Sequence, residues 1–263
     1  MKIFEKCIRI KLFDLCVDKI TVHQHGFLPG KSCNTQMLEF TGDLSLNLNS
    51  GLQTDVVYFD FAKAFDSVSH HIILYKLKHI FGVNGVLLNF ILNYLKNRQQ
   101  RVIIDGEFSP WEPVKSGVPQ GSVLGPILFV LFINDIVQEV SLNTKILLYA
   151  DDMKIWRIIN SETDQITLQT DINKLHRWSI DNKIRFHPSK CKFLRSTLKS
   201  NYLPTSYNME STALEISDCE RDLGVVIHPK LLYTKHHKSI ISKSSQKLGM
   251  VKRITKFLYY QMS

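Results

Sequence analysis

A disulfide framework, a zinc cluster, a membrane span and an internal repeat are all missing from this 263-residue chain. Its five cysteines (Cys7, Cys16, Cys33, Cys191 and Cys219) are odd in number and widely spaced, with no CxxC pair and no histidine at zinc-like spacing. That excludes a disulfide-stapled secreted module and a zinc ribbon, and reads as reduced thiols in a reducing compartment. Charged residues interrupt every apolar run before residue 20, so the start lacks the shape of a secretory signal. The longest apolar run, Val123 to Ile133, is broken by Gly125 and Pro126. It falls far short of the roughly 20 residues a membrane span needs and is expected to be a buried helix. Low-complexity tracts and long linkers are also absent. What remains, 44% hydrophobic and 22% charged residues, is the composition of a chain that buries a core. The length allows one large domain or two ordinary ones.

Acidic residues are scarce in the C-terminal third. Residues 1–180 carry 18 basic and 18 acidic residues, whereas residues 181–263 carry 15 basic and 6 acidic, which is the whole +9 excess. Residues 231–263 have seven basic residues and no acid. A polyanion contacting this third would account for the asymmetry, and so would a solvated Lys-rich helix.

Apolar spacing predicts helices over 1–20, from Ser32 through Leu44, from Ala62 to about His79, over 86–97, over Ile127–Val137, over Thr163–Asp181 and, basic and amphipathic, over 234–260. Ser32 is suited to cap the second of these. Thr54–Phe61 is nearly continuous apolar sequence, as a strand buried on both faces should be. Residues 100–115 read as a hairpin about Asp105-Gly106. Residues 183–193 read as two short basic strands about a turn, and 222–228 as a short strand. Residues 196–217 have little periodicity.

Three stretches carry chemistry. In the first, Leu147-Leu148-Tyr149-Ala150-Asp151-Asp152, two carboxylates sit between strand-like runs, so they fall at the tip of a hairpin. A solvated turn would look the same. The second is the strand ending at Asp60; a carboxylate there must be exposed at the sheet edge or held by a cation. The third is Ser116-Gly117-Val118-Pro119-Gln120-Gly121-Ser122. Its glycines let backbone approach a ligand, and Gln120 offers a long, uncharged donor and acceptor. A further loop, Gln24–Ser32, has two glycines and a proline within five residues. Its backbone and Lys31 are placed to approach a nucleic acid or phosphate, or it is an ordinary capped turn. Nucleotidyl transfer by two divalent cations needs carboxylates converging on a metal pair roughly 3.5–4 Å apart. Asp60, Asp151 and Asp152 would supply them if their strands are neighbours.

The ordered set Phe59-Asp60-Phe61-Ala62-Lys63-Ala64-Phe65-Asp66, then Ser116 through Ser122, then Tyr149-Ala150-Asp151-Asp152, resembles reverse transcriptases, and more closely those of non-LTR (LINE-like) retrotransposons. The loop Gln24–Ser32, the segment around Lys190 and Asp222-Leu223-Gly224-Val225 match further blocks in the same order. The resemblance covers about residues 20–260.

It implies an α+β right-hand polymerase: a ferredoxin-like palm of antiparallel sheet and helices, partial fingers and a truncated thumb. Residues 1–50 would be partial fingers, 51–230 the palm with inserted fingers elements (the reverse transcriptase domain about 20–230) and 231–263 the start of the thumb. By the same resemblance Asp60 and Asp151 are the metal ligands, for two Mg²⁺ or for Mn²⁺, with the Phe61 carbonyl assisting and Asp152 as a third catalytic carboxylate. Phe65 lies under the incoming sugar and excludes a 2′-hydroxyl, Gln120 lines the dNTP pocket, and Lys190 lies near the triphosphate. The segment 222–228 is implied to grip the primer, and 234–260 to be the first thumb helix. The implied partners are an RNA template, a DNA primer and dNTPs, with no membrane. The implied place is inside the cell, in the nucleus and as a ribonucleoprotein in the cytoplasm.

Departures from the pattern are the lack of an upstream endonuclease domain and of the earlier fingers block, a thumb that stops after one helix, and His187 and Cys191 where Asn and Thr are commoner. They point to a fragment. A second reading follows: a catalytically inactive remnant that keeps the palm fold and at most binds nucleic acid.

Overall fold

The computed structural model describes residues 2–261. Fourteen elements frame it: helices α1 (Lys2–Cys16), α2 (Cys33–Asn49), α3 (His70–His79), α4 (Gly85–Leu95), α5 (Gly125–Ile133), α6 (Glu162–Asp181) and α7 (Thr234–Gln261), and strands β1 (Thr54–Phe59), β2 (Lys145–Tyr149), β3 (Asp152–Ile158), β4 (Lys192–Ser196), β5 (Glu215–Ile216), β6 (Glu220–Asp222) and β7 (Val225–Ile227). Five strands form one sheet in the order β5-β4-β1-β3-β2. In β4, β1, β3 and β2 each neighbouring pair is antiparallel, and β5 joins β4 in parallel. The order 4-1-3-2, with helices between β1 and β2 and between β3 and β4, is the ferredoxin-like split βαβ arrangement. β6 and β7 form a separate hairpin.

The sheet is covered on both sides. Successive residues of a strand point to opposite faces, so β1 sends Val57 and Phe59 to one core and Val56 and Tyr58 to the other. On the first face lie α5 and α6, through Phe129, Phe132, Leu168, Ile172 and Leu175. On the second lies α2, through Met37, Phe40 and Leu44 against Leu147, Trp156 and Leu194. The apolar run Val123 to Ile133 is indeed a core helix: Ile127 through Ile133 are all fully buried. A helix apolar all round must be buried, and each such side chain contributes about 1.5–3 kcal/mol relative to exposure. Ser32 closes a capping box with Thr35 at the start of α2.

Two expectations need correction. The helix read from Ala62 to His79 is a single turn, Ala64–Ser67, followed by a break and then α3. The break arises because the Val68 carbonyl accepts from the Gly117 N–H at 2.8 Å instead of from its own helix. Of the two basic strands read in 183–193, only the second exists, as β4. Residues 184–187 follow a left-handed Lys183 (φ 58), and beyond one bridge, Phe186 with Phe61, the chain turns through Pro188–Lys190. The unassigned 196–217 segment holds a small hairpin, Asn208–Met209 with Thr212–Ala213, and β5.

Candidate active site

The hairpin of β2 and β3 is closed by only two residues. Tyr149 pairs with Asp152, so Ala150 and Asp151 make the turn and Asp152 opens β3. Ala150 adopts φ 55, the left-handed conformation that two-residue hairpin turns require. β1 lies beside β3 with Phe59 opposite Met153; one step further, Asp60 stands across from Asp152. Neighbouring strands are about 4.8 Å apart, so Asp60 meets the Asp151–Asp152 pair, remote from it in sequence, at one end of the sheet.

Their electrostatics reflect that crowding. Burial holds the Asp151 carboxyl above its ordinary range, with the Asp60 charge adding to the effect and a backbone hydrogen bond opposing it. Asp152 is pushed up to about 6, by desolvation first, then by Asp151 and Asp222, with Lys154 pulling the other way. Asp152 itself keeps an exposed surface, so solvent softens that shift. Carboxylates that repel one another at one edge form a set that a divalent cation neutralises. Hard oxygen donors suit Mg²⁺, which takes one or two protein carboxylates and completes its shell with waters and phosphates. That donor chemistry suits a site held by one or two carboxylates, since among the described residues no group of three or more His, Cys, Asp or Glu side chains is placed to hold a metal ion.

The other predicted residues hang on the segment that follows Asp60. The Asp60 N–H donates to Cys191 Sγ at 3.4 Å and its carbonyl accepts from the His187 N–H at 2.7 Å. These bonds bring Lys190 round so that its Nζ lies 3.9 Å from Asp60 Oδ1, a long, solvated pair of small energetic weight. Both residues line a groove of about 140 Å³ with Asp152, Glu220 and Asp222. The Phe61 ring is buried and stacked on Phe186, centroids 4.4 Å apart, which leaves only its backbone for the site. Phe65 stacks on Phe129 at 4.3 Å and meets Phe27 edge-on at 6.2 Å. The Gln120 loop is zipped onto the same segment: Val118 N–H donates to the Phe65 carbonyl, Ser116 Oγ to the Asp66 carbonyl, and Gln120 Nε2 to Asp66 Oδ1 at 2.9 Å. Gly117, at φ 90, could carry no side chain there, because a Cβ would come within 2.8 Å of Asp66 backbone. Gln120, Lys63, Asp66, Arg98 and Lys115 line a second cavity of about 590 Å³.

Sequence reasoning passed over two supports. The first is Gln24, only 1% exposed, whose Oε1 accepts from the Ala150 N–H at 2.9 Å and the Gly26 N–H at 2.7 Å. With His25 N–H donating to the Leu148 carbonyl and Leu148 N–H to the His23 carbonyl, the loop 23–26 clips onto β2 and clamps the aspartate turn. Lys31, expected to face a phosphate, instead donates to the Val22 carbonyl at 3.1 Å. The second is a buried ion pair, Lys154 with Asp222, which joins β3 to β6. Burial drives the Lys154 ammonium down, and Asp222 opposes that. A lysine inside an apolar strand was the available signal for this pair; nothing in the sequence singled out Gln24 from its loop.

The comparisons agree with this geometry. A family model described as reverse transcriptase (RNA-dependent DNA polymerase) matches residues 1–211. Among curated relatives, the chain is 28% identical over 254 residues to the probable RNA-directed DNA polymerase from transposon X-element of Drosophila melanogaster, covering 94% of this chain and 28% of that protein. It is 26% identical over 263 residues to the corresponding transposon BS protein of the same species, covering 95% and 29%. It therefore spans less than a third of these relatives. Among solved structures, apo telomerase from Candida tropicalis superposes with a TM-score of 0.57 at 14% identity, over 86% of this chain and 39% of that one. Telomerase from Candida albicans superposes at 0.55 and 11% identity, over 85% and 38%. The telomerase likeness establishes the right-hand polymerase fold, and no described helix is long and apolar enough to cross a membrane. With the family model matched over most of its length and transposon polymerases among its relatives, the chain belongs to the reverse transcriptase family.

Proposed function

We propose that this chain is the polymerase core of a non-LTR retrotransposon, which copies an RNA template by adding deoxynucleotides to a DNA primer 3′-hydroxyl. The observation that carries the proposal is the meeting of Asp60, at the end of β1, with the Asp151–Asp152 turn on the neighbouring hairpin. Asp60 and Asp151 would hold two Mg²⁺, with Mn²⁺ as a substitute, and Asp152 adds negative charge beside them. Bound there, the ions would activate the attacking hydroxyl and stabilise the leaving pyrophosphate. Phe65, braced by Phe129, forms the wall under the sugar and leaves no room for a 2′-hydroxyl. Gln120 lines the base side of the pocket, Lys190 neutralises triphosphate charge, and the Phe61 backbone borders the metal edge. Lys and Arg of residues 181–263 meet the template–primer phosphates and displace condensed counterions, reading A-form shape rather than sequence. In this reading residues 1–50 are fingers, 51–230 palm with inserted fingers elements and 231–263 the start of the thumb, and the protein works in the nucleus.

Primer extension on poly(rA)/oligo(dT) with Mg²⁺ and dTTP tests the proposal. The folded wild type should incorporate dTMP, and Asp151→Asn should fall to background while keeping its fold. No extension by a folded wild type would sink the activity and leave the inactive-remnant reading. Extension that survives Asp151→Asn would refute the role given to Asp151.

A further inference from the structure

The hairpin between α4 and the Gln120 loop does something a solvated turn has no reason to do. It consists of two short ladders, Gln99–Gln100 with Glu112–Pro113 and Ile103–Ile104 with Glu107–Phe108. They are joined by the Ser109 N–H donating to the Val102 carbonyl and the Val102 N–H to Ser109 Oγ. Val102, Ile103, Ile104, Phe108 and Trp111 are each at least 55% exposed. A lone two-stranded hairpin is marginal in water, and these side chains leave more than half of their surface to solvent. Their arrangement is ordered all the same. The Arg101 guanidinium lies 4.0 Å from the Phe108 ring centroid and 4.5 Å from that of Trp111, so a cation holds two large rings on the surface.

The root of the hairpin has a defined neighbour. Arg98, Gln99, Gln100 and Lys115 line the same cavity as Lys63, Asp66 and Gln120. That cavity shares no lining residue with the groove at Asp60, Asp152 and the 220–223 segment. Its charged lining is three cations against one carboxylate, and the carboxylate, Asp66, is occupied by Gln120. Cations at the root and flat rings interleaved with arginine beyond it are the composition of a platform for unpaired nucleic acid, where bases stack on aromatic faces and basic groups follow the backbone.

We propose that the 98–114 hairpin binds single-stranded RNA, stacking one or two unpaired bases on Phe108 and Trp111 as the strand leaves the Gln120 cavity. That this strand is the template ahead of the copied position rests on the polymerase reading; the binding itself does not. Phe108 and Trp111 supply the faces, Arg101 spaces them, and Arg98 and Lys115 meet phosphate. A base stacked on an aromatic side chain contributes enough to affinity that removing one ring should cost roughly tenfold.

The test uses the full chain and an unstructured single-stranded RNA oligonucleotide. Trp156 and Trp178 are 2% and 6% exposed and Trp111 is 55% exposed, so a stacking base should quench the Trp111 part of the emission alone, and Trp111→Phe should remove that quench. Anisotropy of labelled RNA should then show Trp111→Ala and Phe108→Ala weakened about tenfold each, with Trp111→Phe retaining most of the affinity. The slope of affinity against salt should change little in these variants, since the rings contact no phosphate. Equal RNA affinity in wild type, Trp111→Ala and Phe108→Ala would overturn the proposal. So would wild-type self-association abolished by Trp111→Ala, which would make the surface a protein contact. RNA binding that depends on the rings in a protein unable to extend a primer would keep this inference and remove the polymerase reading; extension with ring-independent binding would do the reverse.

Discussion

Replacing Gln24 with leucine removes a buried oxygen on which the aspartate turn depends. Oε1 of Gln24 accepts from two backbone N–H groups, of Ala150 and Gly26. Leucine has similar volume but no acceptor, so both donors would be left in a site closed to water. Each stranded buried donor costs about 1–3 kcal/mol, which bounds the loss at roughly 2–6 kcal/mol. One compensation lowers it: Gln24 Nε2 is itself buried without a partner among the described residues, and leucine relieves that. The expected loss is therefore about 2–3 kcal/mol, or a fall in melting temperature of roughly 4–12 °C for a chain of this size. Urea denaturation measures it. Because Ala150 directly precedes Asp151, primer extension should slow by at least about tenfold, the equivalent of about 1.4 kcal/mol, with RNA affinity unchanged. Gly26→Ala should reproduce the phenotype by a steric route, since its Cβ would lie 2.4 Å from the Ala150 nitrogen, a backbone atom that cannot rotate away. A Gln24→Leu protein within about 0.5 kcal/mol of wild type, the ordinary range of a neutral substitution, and fully active in extension would refute the clamp.

Other outcomes follow from the same structure. Asp222→Ala strands the buried Lys154 ammonium and should cost about 3–5 kcal/mol in thermal unfolding, whereas Lys154→Met with Asp222→Leu should be close to neutral; equal losses in the two proteins would contradict the pairing. Phe65→Ala should lower the preference for dTTP over UTP in primer extension by roughly tenfold or more, and an unchanged preference would remove Phe65 from the sugar wall. His25 is held below its ordinary 6.5, chiefly by burial and then by the Lys31 charge. The unfolded chain therefore takes up the proton more readily. Stability should decline as pH falls from about 7 through 6.5, and His25→Phe should flatten that decline; a wild type equally stable at pH 7 and pH 5.5 would count against it.

Much of the fold was legible because its signals are local. The α2 cap needed only Ser32 and Thr35, and the buried strand β1 only its own apolar run. The aspartate hairpin was visible as two strand-like segments about Asp151-Asp152. The failures lie where a distant partner redirects the backbone. Val68 leaves its helix because Gly117 takes its carbonyl. Residues 184–187 are spent against Phe61 and Asp60 rather than in a strand. Residues 196–217 show little pattern because they add only two-residue strands.

By itself the sequence determined which residues are candidates for the chemistry, since acidic, glycine-rich and aromatic positions keep their character wherever they fold, and it determined the helix and strand periods that build the palm. Only the tertiary structure decided that β1 lies beside β3, so that Asp60 meets the turn of Asp151. It also decided that Gln24 holds that turn, that Lys154 and Asp222 tie β6 to the sheet, and that the 98–114 hairpin shows its rings to solvent. All but the last are contacts between segments remote in the chain. Such contacts are selected by burial and hydrogen-bond satisfaction over the whole core, which no local pattern encodes.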